Sequence, residues 1–356
     1  MQPLVSILIP AYNAEDWIAQ TLQSVLKQTW LNIEVIVVDD GSSDNTFNIA
    51  KQFESAIVKV YSQPNQGAAA ARNYALRQAQ GDFIQFLDAD DLLAIDKIEQ
   101  QMQLLLSTVA PGEAPTCIAS GPWARFYLSA EEAEFIPQPL WRDFAPIDWL
   151  VCAWEGHWMM HPAAWLVPRA IAEAAGPWDE ALSLNDDGEY FARVILASSE
   201  VKFCATAKSY YRSGISGSLS DRKSDAAYRS AYQSIAAGNT WLLAAETSPR
   251  TRKVCATQFQ RFIYETYPAV PELRQQAAQW VRQLGGSDLK PTGGPLFQKL
   301  SKFLGWRVAK QIQQWIYQQG YRRWQIQRKS QVVIANASTK ANTNVTAAEA
   351  LAWRES

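Results

Sequence analysis

Four short apolar runs recur in the first ninety residues, each ended by polar or turn-forming residues and followed by a helical pattern. They are LVSILIP (4–10), IEVIVV (33–38), AIVKVY (56–61) and DFIQFL (82–87). Runs this short and this rich in Val and Ile suit buried strands. After the first, Trp17, Ile18, Leu22, Val25 and Leu26 fall at helical spacing, with Asn13 expected to cap the helix. Strands alternating with helices require βαβ units and a largely parallel sheet. In such a sheet a ligand lies beyond the carboxyl ends of the strands. Here those ends carry Ala11-Tyr12-Asn13, Asp39-Asp40-Gly41 and Asp88-Ala89-Asp90. Three polar clusters therefore share one edge. The carboxylates that crowd the end of GDFIQFLDADD (81–91) are expected at the rim of a site, outside the core.

The rest of the chain bounds the possibilities. Its 356 residues suit two domains or one large one with additions. A net charge of −2 predicts no nucleic-acid or other polyanionic partner for the chain as a whole. Cys117, Cys152, Cys204 and Cys255 form no CxxC pair, which fits a reducing, cytoplasmic setting and offers no zinc site. Two histidines, His157 and His161, exclude a histidine-rich metal cage. The N-terminus lacks the build of a signal peptide, and no uninterrupted apolar stretch of about 18 residues marks a membrane span. From about residue 111 the rhythm gives way to a tryptophan-rich region, then from about 225 to helical periodicity up to a Gly/Pro-rich linker, GGSDLKPTGGP.

Two constellations carry candidate chemistry. Asp88 and Asp90, two residues apart at a strand end, can share a hard divalent cation, which prefers oxygen ligands and fills its remaining positions with water and phosphate. Around them, Tyr12 offers a face for a base, and Asp40 can accept a hydrogen bond from an imide N–H or a ribose hydroxyl. Arg72, on an Ala-rich helix, can face a phosphate or a base carbonyl, or simply solvent. Far downstream, LNDDGEYFARVI places Asp186 and Asp187 at a helix start. A carboxylate there can serve as general base, although helix-start aspartates are also favoured by the helix dipole alone. Tryptophans between 123 and 178 can wall a sugar-binding groove or fill a core.

With these residues assembled, the chain resembles the family 2 glycosyltransferases of GT-A fold. The matching segments are SILIPAYNAEDWIAQTLQSVLKQTW, EVIVVDDGSSDNT, NQGAAAARNYAL, GDFIQFLDADD and GPWDEALSLNDDGEYFARV, covering residues 4 to about 200 in the family's order. The resemblance implies an α/β, Rossmann-like mixed sheet, mostly parallel and flanked by helices; residues 225–356 lie outside it, and their periodicity adds a helical C-terminal extension. It implies a nucleotide-diphospho-sugar donor of UDP or GDP type, a divalent cation (Mn²⁺ or Mg²⁺), and inversion at the anomeric carbon. Pro10, Ala11, Tyr12, Asp40, Arg72 and Asp88 would then bind the nucleotide, Asp88 and Asp90 the metal, and Asp187 would be the base. The family's usual Glu-Asp pair is Asp186-Asp187 here, and the tryptophan often found next is Gly188. The expected division is 1–110 for the nucleotide-sugar half, 111–225 for the acceptor and catalytic half, 226–330 for the helical extension, and 331–356 for a disordered tail. The acceptor is expected to be a saccharide or a lipid-linked sugar.

Competing classes fit less well. A haloacid-dehalogenase-type phosphotransferase would carry its Asp-x-Asp on the first strand, and a dinucleotide dehydrogenase would need GxGxxG where PAYNAE stands. A sugar-nucleotide-forming nucleotidyltransferase would want a Gly-rich basic loop after the first strand. A catalytically silent sugar-nucleotide-binding protein of the same fold is the remaining alternative. Outside the resemblance, residues 296–329 hold Leu296, Leu300, Phe303, Leu304, Val308, Ile312, Trp315 and Ile316 at helical steps. The stretch has eight Lys or Arg and no acidic residue. Such a helix either docks on the protein or meets the inner face of a membrane as a peripheral contact.

Overall fold

The computed structural model describes residues 2–110, 112–215 and 223–316. Its first half follows the strand–helix rhythm: β1 (Val5–Ala11), α1 (Ile18–Leu26), β2 (Ile33–Asp39), α2 (Thr46–Lys51), β3 (Val58–Ser62), α3 (Ala68–Gln78) and β4 (Phe83–Phe86). Next come β5 (Leu92–Leu93), α4 (Lys97–Leu106), β6 (Ile118–Ser120), β7 (Trp123–Phe126) and α5 (Pro146–Gly156). They are followed by β8 (Val167–Pro168), α6 (Arg169–Ala175), α7 (Asp186–Ala197), β9 (Val201–Phe203) and β10 (Ser209–Arg212). The helices α8 (Asp225–Ala245), α9 (Pro249–Thr266) and α10 (Pro271–Gln283) end the ordered series. Residues 286–294 form no helix or strand, and 295–316 form α11, the last helix among the described residues.

The main sheet runs β3-β2-β1-β4-β8. Its first four strands are parallel, and β8 is antiparallel at the edge. Strand order reverses at β1, so the crevice between the ends of β1 and β4 is where a ligand finds room. The central strands are buried on both faces, as their unbroken apolar runs require. Alanines at 69, 70, 71 and 75 are buried and let α3 lie close against β1 and β2.

One expectation is corrected here, and one open alternative is decided. Asn13 caps no helix. It takes a left-handed conformation (φ 48°), its side-chain oxygen accepts from the Ser43 N–H at 2.8 Å, and its own N–H donates to Ser42 Oγ at 2.9 Å. It ties the end of β1 to the loop after β2. Leu92 and Leu93 form β5 against β10. The tryptophans are chiefly core: Trp123, Trp149, Trp165 and Trp178 are buried. Trp165 stacks on Phe191 and Trp178 on Tyr190, with centroids 5.3 and 4.0 Å apart. Trp158 alone in that stretch is well exposed among the described residues. The division at 331 lies outside the described residues.

Candidate active site

The end of β1 presents Pro10 and Ala11 in register with Val38 and Asp39 of β2. Tyr12 follows and is 48% exposed, so its ring is open to a planar ligand. Asp40 is buried, and its oxygens are already engaged. Oδ1 accepts from Gln63 Nε2 and from the Gln66 N–H, and Oδ2 accepts from the Gly67 N–H, each at 2.8 Å. Asp40 therefore shapes the loop that leads into α3. Its neighbour Asp39 keeps a buried Oδ1 with no hydrogen-bond partner. The loop needs glycine at 41, where φ is +71° and a Cβ would lie 2.8 Å from the Asn65 backbone nitrogen.

Arg72 is buried beneath the crevice. Its Nη2 donates to Asp88 Oδ1 and its Nη1 to Asp186 Oδ2, both at 2.7 Å. Its guanidinium lies 4.4 Å from the Trp178 ring centroid. Burial alone would lower the arginine pKa; Asp88 and Asp186 more than reverse that and raise it. The next residue, Asn73, donates to the Trp178 carbonyl at 2.9 Å and accepts from the Trp178 N–H at 2.8 Å. Two successive residues of α3 thus fasten the downstream acidic segment to the Asp-x-Asp loop, across 114 residues of sequence in the case of Arg72 and Asp186.

Asp88, Asp90 and Asp91 do not share one environment. Asp88 is partly exposed and paired to Arg72. The Asp90 pKa is pushed well above the ordinary carboxylate range by burial and then by Asp91 and Asp88. Arg212 is the nearby cation, but its Nε donates to the Asp90 backbone carbonyl at 2.8 Å and its Nη2 to Gln20 at 2.6 Å. Asp91 is not at the rim, contrary to expectation. It is 1% exposed, accepts from the Arg212 N–H at 2.9 Å and sits 3.1 Å from His161 Nδ1. The other ring nitrogen of His161 lies 3.0 Å from Ser209 Oγ. Burial drives the His161 pKa down to about 3, so the ring is neutral and donates from one nitrogen while accepting at the other. The Thr21 hydroxyl, on α1, lies 2.8 and 3.0 Å from the carbonyl oxygens of Ala89 and Asp91. Thr21, His161, Ser209 and Arg212 are residues that sequence reasoning missed. None stands in a spacing that betrays it, because each acts through a distant partner.

Among the described residues no group of three or more His, Cys, Asp or Glu side chains is gathered to hold a metal. Two carboxylates fit a hard cation that takes its other ligands from water and phosphate. Burial, and then Asp91 and Asp88, disfavour the charged form of Asp90, which a neighbouring cation would offset.

Asp186 and Asp187 open α7, as expected. Asp187 is partly exposed, and its pKa is pushed up to about 6 by burial and then by Asp186, with Arg72 working against the rise. Asn185 precedes them in a left-handed conformation, its side chain bonded to Ser234 Oγ of α8 at 2.7 Å. A Cβ at Gly188 would lie 2.6 Å from that Asn185 side chain, which would have to shift for any larger residue. Behind the pair, Glu189 and Arg193 form a buried ion pair at 2.7 Å. A separate groove of about 640 Å³, bordered by Arg142, Asp148, Cys152, Trp158 and Arg250, contains none of these acidic residues.

Residues 6–147 match the family model described as glycosyl transferase family 2. An uncharacterized glycosyltransferase of Haemophilus influenzae is 39% identical over 140 residues, 38% of this chain and 56% of its own. The putative teichuronic acid biosynthesis glycosyltransferase TuaG of Bacillus subtilis is 46% identical over 108 residues, 30% of this chain and 43% of its own. The Escherichia coli UDP-Glc:alpha-D-GlcNAc-diphosphoundecaprenol beta-1,3-glucosyltransferase WfgD is 48% identical over 104 residues, 29% of this chain and 41% of its own. The chain spans about half the length of the curated relatives it matches. Among solved structures, S. aureus TarS 1–349 in complex with UDP superposes with a TM-score of 0.60 at 18% identity, covering 79% of each chain. That is a likeness of fold.

Proposed function

We infer, from the match of residues 6–147 to the glycosyl transferase family 2 model, an enzyme that moves a sugar from a nucleoside-diphosphate sugar to an acceptor hydroxyl. Its setting would be the synthesis of a cell-surface polysaccharide or glycolipid. The observation that carries this reading is the Asp88–Arg72–Asp186 bridge, with 2.7 Å at each end. It brings an acidic pair suited to a divalent cation and the segment that carries Asp187 to opposite sides of one arginine.

The roles follow from the surroundings. Tyr12 stacks on the base beyond Pro10 and Ala11. Asp40 holds the 63–67 loop that borders the nucleotide, so its part in binding is to build the pocket wall. Asp39 Oδ1, buried and unpartnered, is placed on the same strand end and can accept from a base N–H. Asp88 and Asp90 would hold Mn²⁺ or Mg²⁺, which when bound supplies positive charge against the diphosphate. Asp187 takes the proton from the acceptor hydroxyl, and its raised pKa makes it a stronger base than an ordinary aspartate. Attack from the face opposite the diphosphate inverts the anomeric carbon in one displacement, so no enzyme nucleophile is needed. WfgD is named for a UDP-glucose donor and a diphosphoundecaprenol-linked acceptor. That supports a UDP-sugar and a lipid-linked acceptor here, with the enzyme working at the cytoplasmic face of a membrane.

A thermal-shift series with UDP and GDP, each with and without Mn²⁺, tests donor binding. A ligand at 100 times its Kd stabilises the native state by about 2.7 kcal/mol, so the correct nucleotide stands out. Asp90→Asn should abolish the Mn²⁺-dependent part of that shift. An unchanged Mn²⁺ effect in the variant removes Asp90 from the metal site, and no shift with any nucleoside diphosphate sinks the reading. Release of UDP from UDP-sugars in the presence of Mn²⁺ then separates a working transferase from a silent binder.

A further inference from the structure

The last helix, α11, packs the reverse of what a simple amphipathic helix does in water. Its inward contacts are few. Phe297 and Ala309 are buried, and Trp306 sits edge-on to Tyr264 and Tyr267 with centroids 5.0 and 5.1 Å away. Gln314 Nε2 donates to the Tyr267 carbonyl at 2.8 Å. None of these inward residues belongs to the apolar stripe read from the sequence. Much of the stripe faces away from the protein: Phe303 is 87% exposed, Trp315 63% and Leu296 56%, with Leu304, Val308 and Ile316 also exposed. Leu296, Leu300, Phe303 and Leu304 stand at i, i+4, i+7 and i+8, one side of a helix. Docking on the protein, the bland alternative for this stripe, is therefore not what the packing shows.

Charge decides what this face fits. Within 295–316 the cations Lys299, Lys302, Arg307 and Lys310 are unaccompanied by any Asp or Glu. Lys299, Lys302 and Arg307 are exposed on the same helix as the stripe. The chain as a whole is slightly acidic, at −2. A two-fold contact with a second copy would set these cations against one another, whereas a surface that is both anionic and apolar complements the charge and the stripe together. No described helix is long and apolar enough to cross a membrane. We propose that α11 lies in the plane of an anionic phospholipid bilayer, with Phe303, Leu304 and Trp315 inserted below the headgroups and Lys299, Lys302 and Arg307 among the phosphates. Exposed Trp and Phe with Lys and Arg beside them are the composition such an interfacial helix uses. Gly305, at φ +77°, separates the Leu296–Leu304 run from the run carrying Val308, Trp315 and Ile316. The inference concerns a binding surface and holds whether or not the carboxylate site transfers sugar.

Co-sedimentation of the full chain with phosphatidylcholine vesicles, and with mixed phosphatidylcholine–phosphatidylglycerol vesicles, tests it without any catalytic readout. The chain should pellet with the anionic vesicles at low salt, much less with the neutral ones, and progressively less as salt rises. Phe303→Asp with Trp315→Asp should abolish pelleting. Lys299→Gln with Lys302→Gln and Arg307→Gln should weaken it by about fivefold per cation removed. All five side chains are exposed, and unchanged melting curves would verify that both variants fold. Equal pelleting of the variants and the parent, or no pelleting of the parent on anionic vesicles, overturns the proposal. So does a dimer in sedimentation equilibrium that Phe303→Asp with Trp315→Asp dissolves, because the face would then belong to a second copy.

Discussion

Arg72 and Asp187 show how far a residue's chemistry depends on what burial does to it. Arg72 lies in the interior with a carboxylate at each end of its fork, so its charge is kept and its geometry set. Asp187 lies beside that arrangement, and its pKa of about 6 stands well above the ordinary aspartate value of 3.8. A base must be deprotonated to act. The donor-free enzyme's kcat/KM should therefore fall as pH drops through about 6 and level off above it. The same shift has a stability consequence. Because the folded state binds this proton more tightly than the unfolded chain, the destabilisation is absent below about pH 4 and complete above about 6. Asp187→Asn should cut kcat by about 10²–10⁴ while donor binding persists. If Asp186→Asn were the inactive variant instead, the base would be one position earlier, and the acidic limb of the pH profile would survive in Asp187→Asn.

At the scale of elements, the loop between β4 and β5 is held from four directions. Thr21 of α1 lies against two of its carbonyls, β10 pairs with β5, Arg212 of β10 donates to Asp90 and Asp91, and His161 reaches Asp91 from the segment before β8. Aspartate at 91 is thus a brace and Asp90 the half-buried end of what it braces. His161→Ala would leave the Asp91 carboxylate and the Ser209 hydroxyl without their ring partner. An unsatisfied buried polar group costs about 1–3 kcal/mol, so the melting temperature should fall. Calorimetry should also show weaker Mn²⁺-dependent UDP binding, with the pH profile assigned to Asp187 unchanged. A lower melting temperature with unchanged affinity would make the network purely structural. The sequence made the Asp-x-Asp legible through its place after an apolar strand. It could not separate Asp90 from Asp91, because that distinction is made by a β10 strand 121 residues away.

Across the whole molecule one hydrophobic cluster runs from Leu8, Ile36 and Phe86 of the sheet through Trp165, Trp178 and Tyr190 to Leu242, Phe259 and Leu273 of the helical part. The helices after residue 225 therefore share the core of the sheet domain up to α10. Phe259 is fully buried and stacks on Trp280 with centroids 5.8 Å apart. Phe259→Ala should cost about 3–5 kcal/mol, the usual range for emptying a large aromatic site. Denaturation followed by tryptophan fluorescence and by far-UV circular dichroism should move together. Two separate transitions, with only the later one intact in the variant, would mean that the helices unfold on their own.

What the sequence determined was local and periodic. The four apolar runs set the parallel strands, the alanines of 68–71 set a helix that can lie close to them, and the breaks after each strand put Tyr12, Asp40, Asp88 and Asp90 on one edge. These follow from side-chain spacing, which any short segment displays. Tertiary structure decided which polar groups are spent and which are free. Asp40 is consumed by the backbone of 66–67 and Asn13 by the loop after β2, while Arg72 is drawn between Asp88 and Asp186. It also decided that the tryptophans fill the core and that the apolar side of α11 faces outward. Each of these outcomes is a competition between distant partners for one hydrogen bond or one buried surface. The winner depends on distances that exist only once the chain has folded.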